Sequence, residues 1–284
     1  MKSFLGKKWV LNLLTGILAV IFLISTGLIV YELRQSSKNE DQYNDLANMV
    51  DHFQDYQLGE STDSNTPSKP IAGESDSGYD LVSVTDPETG KTVAVMRKYA
   101  QIYLLNNDLI GWLTIPDTKI NYPVMQTPEN PDYYLHRDFY KASNKYGCLY
   151  AREVCDVFAP SDNVTIYGHH MKDGSMFAGL LKYQQKKYFE EHPTLIFDTL
   201  TEHHEYAIFS VFITTATSGS GFPYHQFVDA KDEEEFDNFV RMCNGYSLYN
   251  TGVEAEYGDK FICLSTCEYT HTNGRFVVVA KRIN

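Results

Sequence analysis

The sequence has little positive charge: 24 lysines and arginines stand against 37 aspartates and glutamates, a formal net charge of −13. Proteins that bind nucleic acid need clustered basic side chains to neutralise phosphates, so this balance argues against a nucleic-acid partner. The chain also lacks a CxxC pair, which argues against a zinc site. It shows no internal repeat, and 284 residues allow one sizeable domain with extensions or two small domains.

An uncharged run near the N-terminus predicts a membrane anchor. Residues 9–31 contain no Asp, Glu, Lys or Arg, and about 20 apolar residues are enough to span a bilayer. Lysines precede the run and acidic residues follow it. The positive-inside rule therefore predicts that residues 1–8 are cytoplasmic and that the chain after residue 31 is extracellular. A cleaved signal peptide is the alternative, but the run exceeds a usual signal-peptide core and no clear small-x-small site closes it.

The cysteines all follow this anchor, and their number is odd. An odd count in an exported chain predicts at least one free thiol. Cys148 and Cys155 are close enough in sequence to form a bridge, and two reduced, buried thiols fit the sequence equally well. The five are Cys148, Cys155, Cys243, Cys263 and Cys267.

Residues 261–281 predict a β-hairpin that carries a reactive cysteine. Two runs of β-branched and aromatic residues flank a turn rich in Thr, Asn and Gly. If the hairpin is symmetric about His271, Cys267 lies directly opposite Arg275. Because the guanidinium group cannot lose its proton, it favours the thiolate, which is the nucleophilic form of cysteine.

The same register divides the hairpin between two faces. Side chains alternate along a strand, so Ser265 and Cys263 share the face of Cys267, whereas Thr266 points to the opposite face. A lone cysteine on an apolar strand is more often a small buried hydrophobe. The catalytic interpretation therefore needs a proton carrier from another part of the chain.

Two adjacent histidines are the candidates for that proton carrier. His169 and His170 follow a predicted strand that ends at Gly168, and functional residues often occupy such strand-to-loop junctions. Neighbouring side chains point in different directions, so we expect at most one of the two to face Cys267. His271 is expected to be an exposed turn residue. The other six are expected to be solvated, namely His52, His136, His192, His203, His204 and His225.

The pattern of short strands predicts a mainly β fold, a closed β-barrel with helical insertions rather than a parallel α/β sheet. Apolar residues at helical spacing between residues 43 and 53 predict a stalk helix, and residues 59–78 have the composition of a flexible linker. The predicted helices are 96–106, 174–193 and 232–246, and the predicted strands are 111–116, 119–126, 146–151, 163–171, 194–200, 205–217 and the closing hairpin. The expected domains are 1–8 (cytoplasmic), 9–31 (anchor), 32–78 (stalk and linker) and 79–284 (folded domain).

Several of these segments together resemble a class B sortase. They are the N-terminal anchor, GWLTIPDTKINYPVMQ at 111–126, IYGHHM at 166–171, LSTC at 264–267, and Arg275 followed by FVVVAKR. The family's TLxTC signature appears as the five residues 263–267, with Cys263 in place of the first threonine. LSTC alone is a weak signal, but the ordered set of GH, LSTC and Arg is specific. The resemblance covers roughly residues 99–284.

The resemblance implies roles for individual residues. The nucleophile falls on Cys267, the histidine directly after the glycine falls on His169 and not on His170, and the arginine falls on Arg275. The segment 214–224 resembles the insertion that forms the peptide groove in this family. Tyr224 is the substrate contact implied in that segment. Beside the nucleophile, Ser265, Thr266 and Glu268 are further candidate substrate contacts, and the respective alternatives are a core-facing hydroxyl, a packed side chain and an exposed carboxylate. The calcium-binding pattern of class A has no counterpart, so no metal and no cofactor are expected.

The implied activity is that of a membrane-anchored cysteine transpeptidase of a Gram-positive cell. It would cleave an NPxTN-like or LPxTG-like sorting signal in an exported protein and join the acyl group to the amine of a peptidoglycan precursor. Alternatives are a pilin-polymerising sortase, a cysteine protease that resolves the thioester with water, and a non-catalytic wall-binding module. In papain-like proteases the cysteine precedes the histidine, whereas here His169 precedes Cys267, which argues against that family.

Overall fold

The chain begins with one long helix, α1 (Lys2–Asp51). The computed structural model describes residues 2–53, 78–86, 89–217 and 219–284, and for residues 2–8 it describes the backbone alone. Most of the linker predicted at 59–78 therefore lies outside the described residues. From Trp9 onward the helix is long and apolar enough to cross a membrane. The chain divides into two compact units, one ending at Asp45 and the other running from Leu46 to Asn284.

The second unit contains a closed eight-stranded barrel, which confirms the predicted fold class. The strand order around the barrel is β10-β8-β7-β3-β4-β5-β6-β9, and β9 pairs with β10 to close it. Neighbouring strands are antiparallel except for two parallel pairs, β4 with β5 and β6 with β9. The strands are β3 (Leu109–Thr114), β4 (Asn121–Met125), β5 (Leu149–Ala151), β6 (Asn163–Tyr167), β7 (Thr194–Thr199), β8 (Glu205–Thr215), β9 (Phe261–Glu268) and β10 (Gly274–Arg282).

A short hairpin precedes the barrel, and the sequence patterns do not predict it. It consists of β1 (Leu81–Thr85) and β2 (Thr92–Met96), which pair in antiparallel register. Helix α2 (Arg97–Leu105) follows and matches the predicted helix. Both hairpin strands are partly exposed and only five residues long, so their hydrophobic alternation is too short to stand out.

The helix predicted over 174–193 is divided in the structure. A 3-10 helix (Phe177–Gln184) is followed by α3 (Lys186–Glu191), and Gln185 between them has an extended backbone. The buried side chains of the first part are Phe177, Leu180 and Tyr183. They recur every three residues, the period of a 3-10 helix, in which residues three apart lie on one face.

Helix α4 (Glu233–Tyr246) covers the outer face of the barrel beside β8, β9 and β10. Asp232 caps it, with Oδ1 accepting a hydrogen bond from the Glu235 amide at 2.9 Å. Three glutamates in its first turn suit the positive end of the helix dipole. Buried residues of α4 and of the segment before it pack on Cys263, Val277 and Val279 of the hairpin. The hairpin face that carries Cys267 is therefore the helix-covered face of the barrel.

Candidate active site

The closing hairpin has the register predicted from its symmetry. Cys267 pairs with Arg275, Ser265 with Val277 and Thr266 with Phe276. Cys267 is half-buried, whereas the other four cysteines are buried. All five lie in the described part of the chain and none forms a disulfide, so Cys148 and Cys155 are not bridged. Burial raises the pKa of the Cys155, Cys243 and Cys263 thiols. A buried thiol in apolar surroundings is unreactive, so Cys267 is the cysteine suited to be a nucleophile.

The parallel pairing of β6 with β9 brings the two histidines to the end of β9. The Gly168 amide donates to the Ser265 carbonyl at 3.1 Å, and the Thr266 hydroxyl donates to the Gly168 carbonyl at 2.8 Å. Thr266 is buried and therefore fastens the turn after β6 rather than facing the surface. A Cβ atom on Gly168 would lie 2.4 Å from Leu149 Cδ2 and 2.7 Å from Phe177 Cδ2, so this turn requires glycine.

His169 is held by the 3-10 turn at Tyr133–His136. Its Nε2 donates to the Leu135 carbonyl at 2.7 Å, and its ring stacks on His136 with centroids 5.7 Å apart. A carbonyl oxygen can only accept, so this bond places a proton on Nε2. Nδ1 of His169 has no hydrogen-bond partner among the residues that the structure describes. In the neutral tautomer it is the basic nitrogen.

His170 lies against the backbone of Cys267. Its Nδ1 donates to the Cys267 carbonyl at 3.1 Å, and an isolated β-bridge pairs His170 with Met176. Its ring also stacks on Tyr269, with centroids 5.1 Å apart. The adjacent histidines therefore contact different parts of the site: His169 meets the turn at Leu135, and His170 meets β9.

Tyr224 and Ser265 contact each other beside the nucleophile. The Tyr224 hydroxyl and Ser265 Oγ are 2.5 Å apart, and both residues are buried. Burial raises the pKa of Tyr224 to about 12, while the hydrogen bond to Ser265 and the charge of Arg275 act in the opposite direction. The tyrosine is therefore a neutral hydroxyl at physiological pH, on the face of β9 that carries Cys267.

Glu268 is committed to the turn after β9. Its carboxylate accepts from the Thr270 amide and from His271 Nδ1, each at 2.9 Å. Burial raises the pKa of this carboxyl, but the hydrogen bonds from Thr270 and His271 outweigh burial and lower it to about 2. His271, expected as an exposed turn residue, is indeed mostly exposed and pairs with this carboxylate.

The Arg275 guanidinium has hydrogen-bond donors available for a substrate. Nη1 donates to the carbonyls of Asn273 at 3.4 Å and Gly274 at 3.0 Å, both in its own turn. Across the described ranges, no carboxylate pairs with this guanidinium, and no residue accepts a hydrogen bond from Nε or Nη2. Its fork of donors is therefore largely available next to Cys267.

The solvated surroundings expected for six histidines are wrong for several of them. His136 is exposed, as expected, and its ring also stacks on His169. His203 donates to the buried Asp198 carboxylate at 2.6 Å, and His204 is itself buried. His225 is half-buried, and burial followed by the charges of Arg152 and Arg275 lowers its pKa. Local polarity does not predict these surroundings: Asp198 lies five residues before His203, on β7, whereas Arg152 and Arg275 come from segments far from His225 in sequence.

Sequence reasoning also missed Leu135 and Tyr269. Leu135 contributes a backbone carbonyl, which every residue has, so no side-chain pattern could reveal it. Tyr269 follows Glu268 at the end of β9, and its side chain is 71% exposed. The signal that the sequence offers is an aromatic residue two positions after the candidate nucleophile, at the start of a polar turn.

Comparisons with known proteins identify the family of this chain. The family described as "Sortase domain" matches residues 113–283. Sortase B of Listeria monocytogenes is 31% identical over 238 residues, covering 81% of this chain and 91% of that protein. Sortase B of Staphylococcus aureus is 29% identical over 191 residues, covering 66% and 76%.

A solved structure supports the same assignment. Sortase B from Bacillus anthracis in complex with AAEK1 is 27% identical and superposes with a TM-score of 0.66, covering 89% of this chain and 99% of that one. The chain therefore belongs to the sortase family, in class B, and is a cysteine transpeptidase.

Proposed function

We propose that the chain anchors exported proteins to the cell wall, with Cys267 as nucleophile, His169 as proton carrier and Arg275 as oxyanion or substrate ligand. The observation that carries this proposal is the register that sets Cys267 opposite Arg275 while β6 delivers His169 to the same end of β9. The substrate class is an NPxTN-like or LPxTG-like sorting signal.

In the first half-reaction the Cys267 thiolate attacks the backbone carbonyl at the cleavage site. A carbon–sulfur bond forms, the carbon–nitrogen bond breaks, and the leaving amine takes a proton from the His169 imidazolium. The product is a thioester on Cys267. Because the Leu135 carbonyl retains the proton on Nε2, the proton that moves is the one on Nδ1.

In the second half-reaction the amine of a cell-wall precursor attacks the thioester. A carbon–nitrogen bond forms, the carbon–sulfur bond breaks, and Cys267 leaves as a thiolate. His169 Nδ1 takes the proton that the attacking nitrogen loses, which restores the starting pair. Nε and Nη2 of Arg275, which have no acceptor within the described part of the chain, are available to stabilise the oxyanion in both halves.

Tyr224 and Ser265 line the sorting-signal side of the nucleophile in this proposal. Ser265 lies two residues before Cys267 on the same face of β9, and Tyr224 reaches it from the helix-covered cluster. The polar groups of Thr266 and Glu268 are occupied by contacts within the protein. Thr266 binds the Gly168 carbonyl, and Glu268 binds the turn at 270–271. We propose that these two residues position the site.

The apolar part of α1 is the proposed membrane anchor, with residues 1–8 in the cytoplasm and the barrel outside the cell. The division into anchor (9–31), stalk and linker (32–78) and catalytic domain (79–284) belongs to the same proposal. The absence of charge in residues 9–31 and the lysines that precede them support this orientation.

The test uses the full chain in detergent micelles with fluorogenic peptides of both signal types. We expect Cys267-dependent cleavage whose product changes from an acid to an amide when triglycine is added. Cys267→Ala and Arg275→Ala should lose at least a hundredfold in kcat/KM, while Cys148→Ala serves as a buried-cysteine control. Cleavage that no amine diverts would favour a protease. Full function of folded Cys267→Ala in cells would instead favour a wall-binding module.

A further inference from the structure

Tyr269 and His170 form an aromatic shelf next to the nucleophile. Their rings stack at 5.1 Å with 29° between the planes, and the Tyr269 hydroxyl donates to the His170 carbonyl at 3.3 Å. His170 is in turn bonded to the Cys267 carbonyl. The shelf is thus tied to the backbone of the residue that would carry the acyl group.

The shelf lies on the opposite side of Cys267 from the Tyr224–Ser265 pair. Ser265 precedes Cys267 on β9, and Tyr269 follows the last residue of that strand. The neighbouring segment runs in the same direction, because the Gly168 amide binds the Ser265 carbonyl and His170 binds the Cys267 carbonyl. Burial raises the pKa of Tyr269, and the charge of Cys267 acts in the same direction whereas that of Arg275 lowers it.

The two sides differ in exposure. Tyr224 and Ser265 are buried, whereas the Tyr269 side chain is 71% exposed. One ring face stacks on His170, and across the described residues no cation lies over the other face. A second substrate that arrives from solvent after the first is bound can therefore reach this shelf.

We propose that the shelf of Tyr269 and His170 is the acceptor subsite, where the exposed face of Tyr269 binds the alkylammonium group of the incoming amine. This inference rests on the proposed function, because it assigns the side of Cys267 that the sorting signal leaves open. A cation over the face of a tyrosine ring is attracted by the ring's quadrupole. Before attack the ammonium group releases one proton to water, and the free amine then meets the thioester beside the shelf.

The test compares two nucleophiles in the full chain in detergent micelles. Cadaverine is a primary alkylammonium ion at neutral pH, whereas hydroxylamine is uncharged and offers no cation. For Tyr269→Leu we expect the half-saturating cadaverine concentration to rise about two- to fivefold relative to that of hydroxylamine, the size of an exposed cation–π contact. Tyr269→Phe keeps the ring and should retain the ratio of wild type.

Tyr257→Leu, which removes an exposed tyrosine before β9, is the matched control and should leave both values unchanged. If Tyr269→Leu keeps the wild-type ratio of the two half-saturating concentrations, the acceptor subsite is refuted. The assignment as a transpeptidase is unaffected by that result. If wild type forms neither an amide with cadaverine nor a hydroxamate with hydroxylamine, both the proposed function and this inference are refuted.

Discussion

A single carboxylate, Glu268, stabilises the turn that follows the nucleophile. Its hydrogen bonds from Thr270 and His271 hold its pKa at about 2, below the usual 4.5. A lowered pKa means that the stabilising contribution is complete above about pH 4.5 and is lost as the pH falls towards 2.

We therefore expect Glu268→Gln to lower the free energy of unfolding by about 1–2 kcal/mol at neutral pH, through the loss of charge-assisted hydrogen bonds. The difference from wild type should shrink as the pH is lowered from about 5 towards 2, as followed by urea denaturation. Glu254→Gln, in the exposed loop before β9, is the control and should show no such trend. A difference that stays constant over this pH range would contradict the role assigned to Glu268.

The bond between Tyr224 and Ser265 makes a second prediction for single residues. Ser265→Ala or Tyr224→Phe each leaves a buried hydroxyl without its partner, which costs about 1–3 kcal/mol of stability. The double variant removes both polar groups, so its cost should be clearly smaller than the sum of the two single costs. Thermal unfolding of the four proteins measures this coupling. Simple additivity would show that the 2.5 Å contact contributes nothing.

Single residues also show where prediction from sequence ends. The opposition of Cys267 and Arg275 is predictable because it depends only on turn symmetry and strand alternation within about 20 residues of sequence. The contact of His169 with Leu135, 34 residues away, depends on tertiary packing. For the same reason the sequence does not predict that His136, which is exposed as expected, stacks on His169.

At the level of elements, the turn after β6 is the sensitive position. Gly168→Ala would push a methyl group into Leu149 and Phe177 at distances below 3.0 Å. We expect this overpacking to cost about 1–3 kcal/mol and to displace His169, so that kcat/KM falls at least tenfold. Unfolding and peptide cleavage assays measure the two effects.

Gly179→Ala is the matched control for this turn. A Cβ atom at residue 179 would lie 3.6 Å from Ile120 Cδ1, an ordinary van der Waals distance, so both stability and activity should stay near wild type. If Gly168→Ala behaves like Gly179→Ala, the turn after β6 is more tolerant than its packing implies.

The elements differ in how well the sequence predicts them. Helix α4 begins and ends within one residue of its predicted bounds because Asp232 and the acidic first turn mark its start. The segment 174–193 is predicted as one helix but contains two. Amphipathic periodicity does not distinguish a 3-10 helix from an α-helix when each buries apolar side chains on one face. The parallel pairing of β6 with β9, which assembles the site, joins strands about 100 residues apart and leaves no local pattern.

For the whole molecule, the stable unit begins before the predicted domain boundary. Leu46 and Val50 of α1 are buried and belong to the compact unit that runs to Asn284. Burying one such side chain contributes about 1.5–3 kcal/mol. We therefore expect a fragment of residues 46–284 to unfold at a higher temperature than one of residues 79–284, as measured by calorimetry.

Leu46→Asp in the longer fragment should remove much of that advantage, whereas Asn48→Asp, at an exposed position of α1, should not. Equal unfolding temperatures for the two fragments would place the boundary of the stable unit at residue 79, as the composition of the linker alone implies.

The order of strands in the barrel also constrains when the enzyme can become active during its biosynthesis. β9 and β10 are the last strands to be synthesised, and they fill the gap between β6 and β8. Until they emerge, the barrel is open and Gly168 lacks the two partners on β9 that fix the histidine turn. A chain whose synthesis has not yet reached β10 therefore has no assembled site, so it cannot form a thioester with a substrate before the barrel closes.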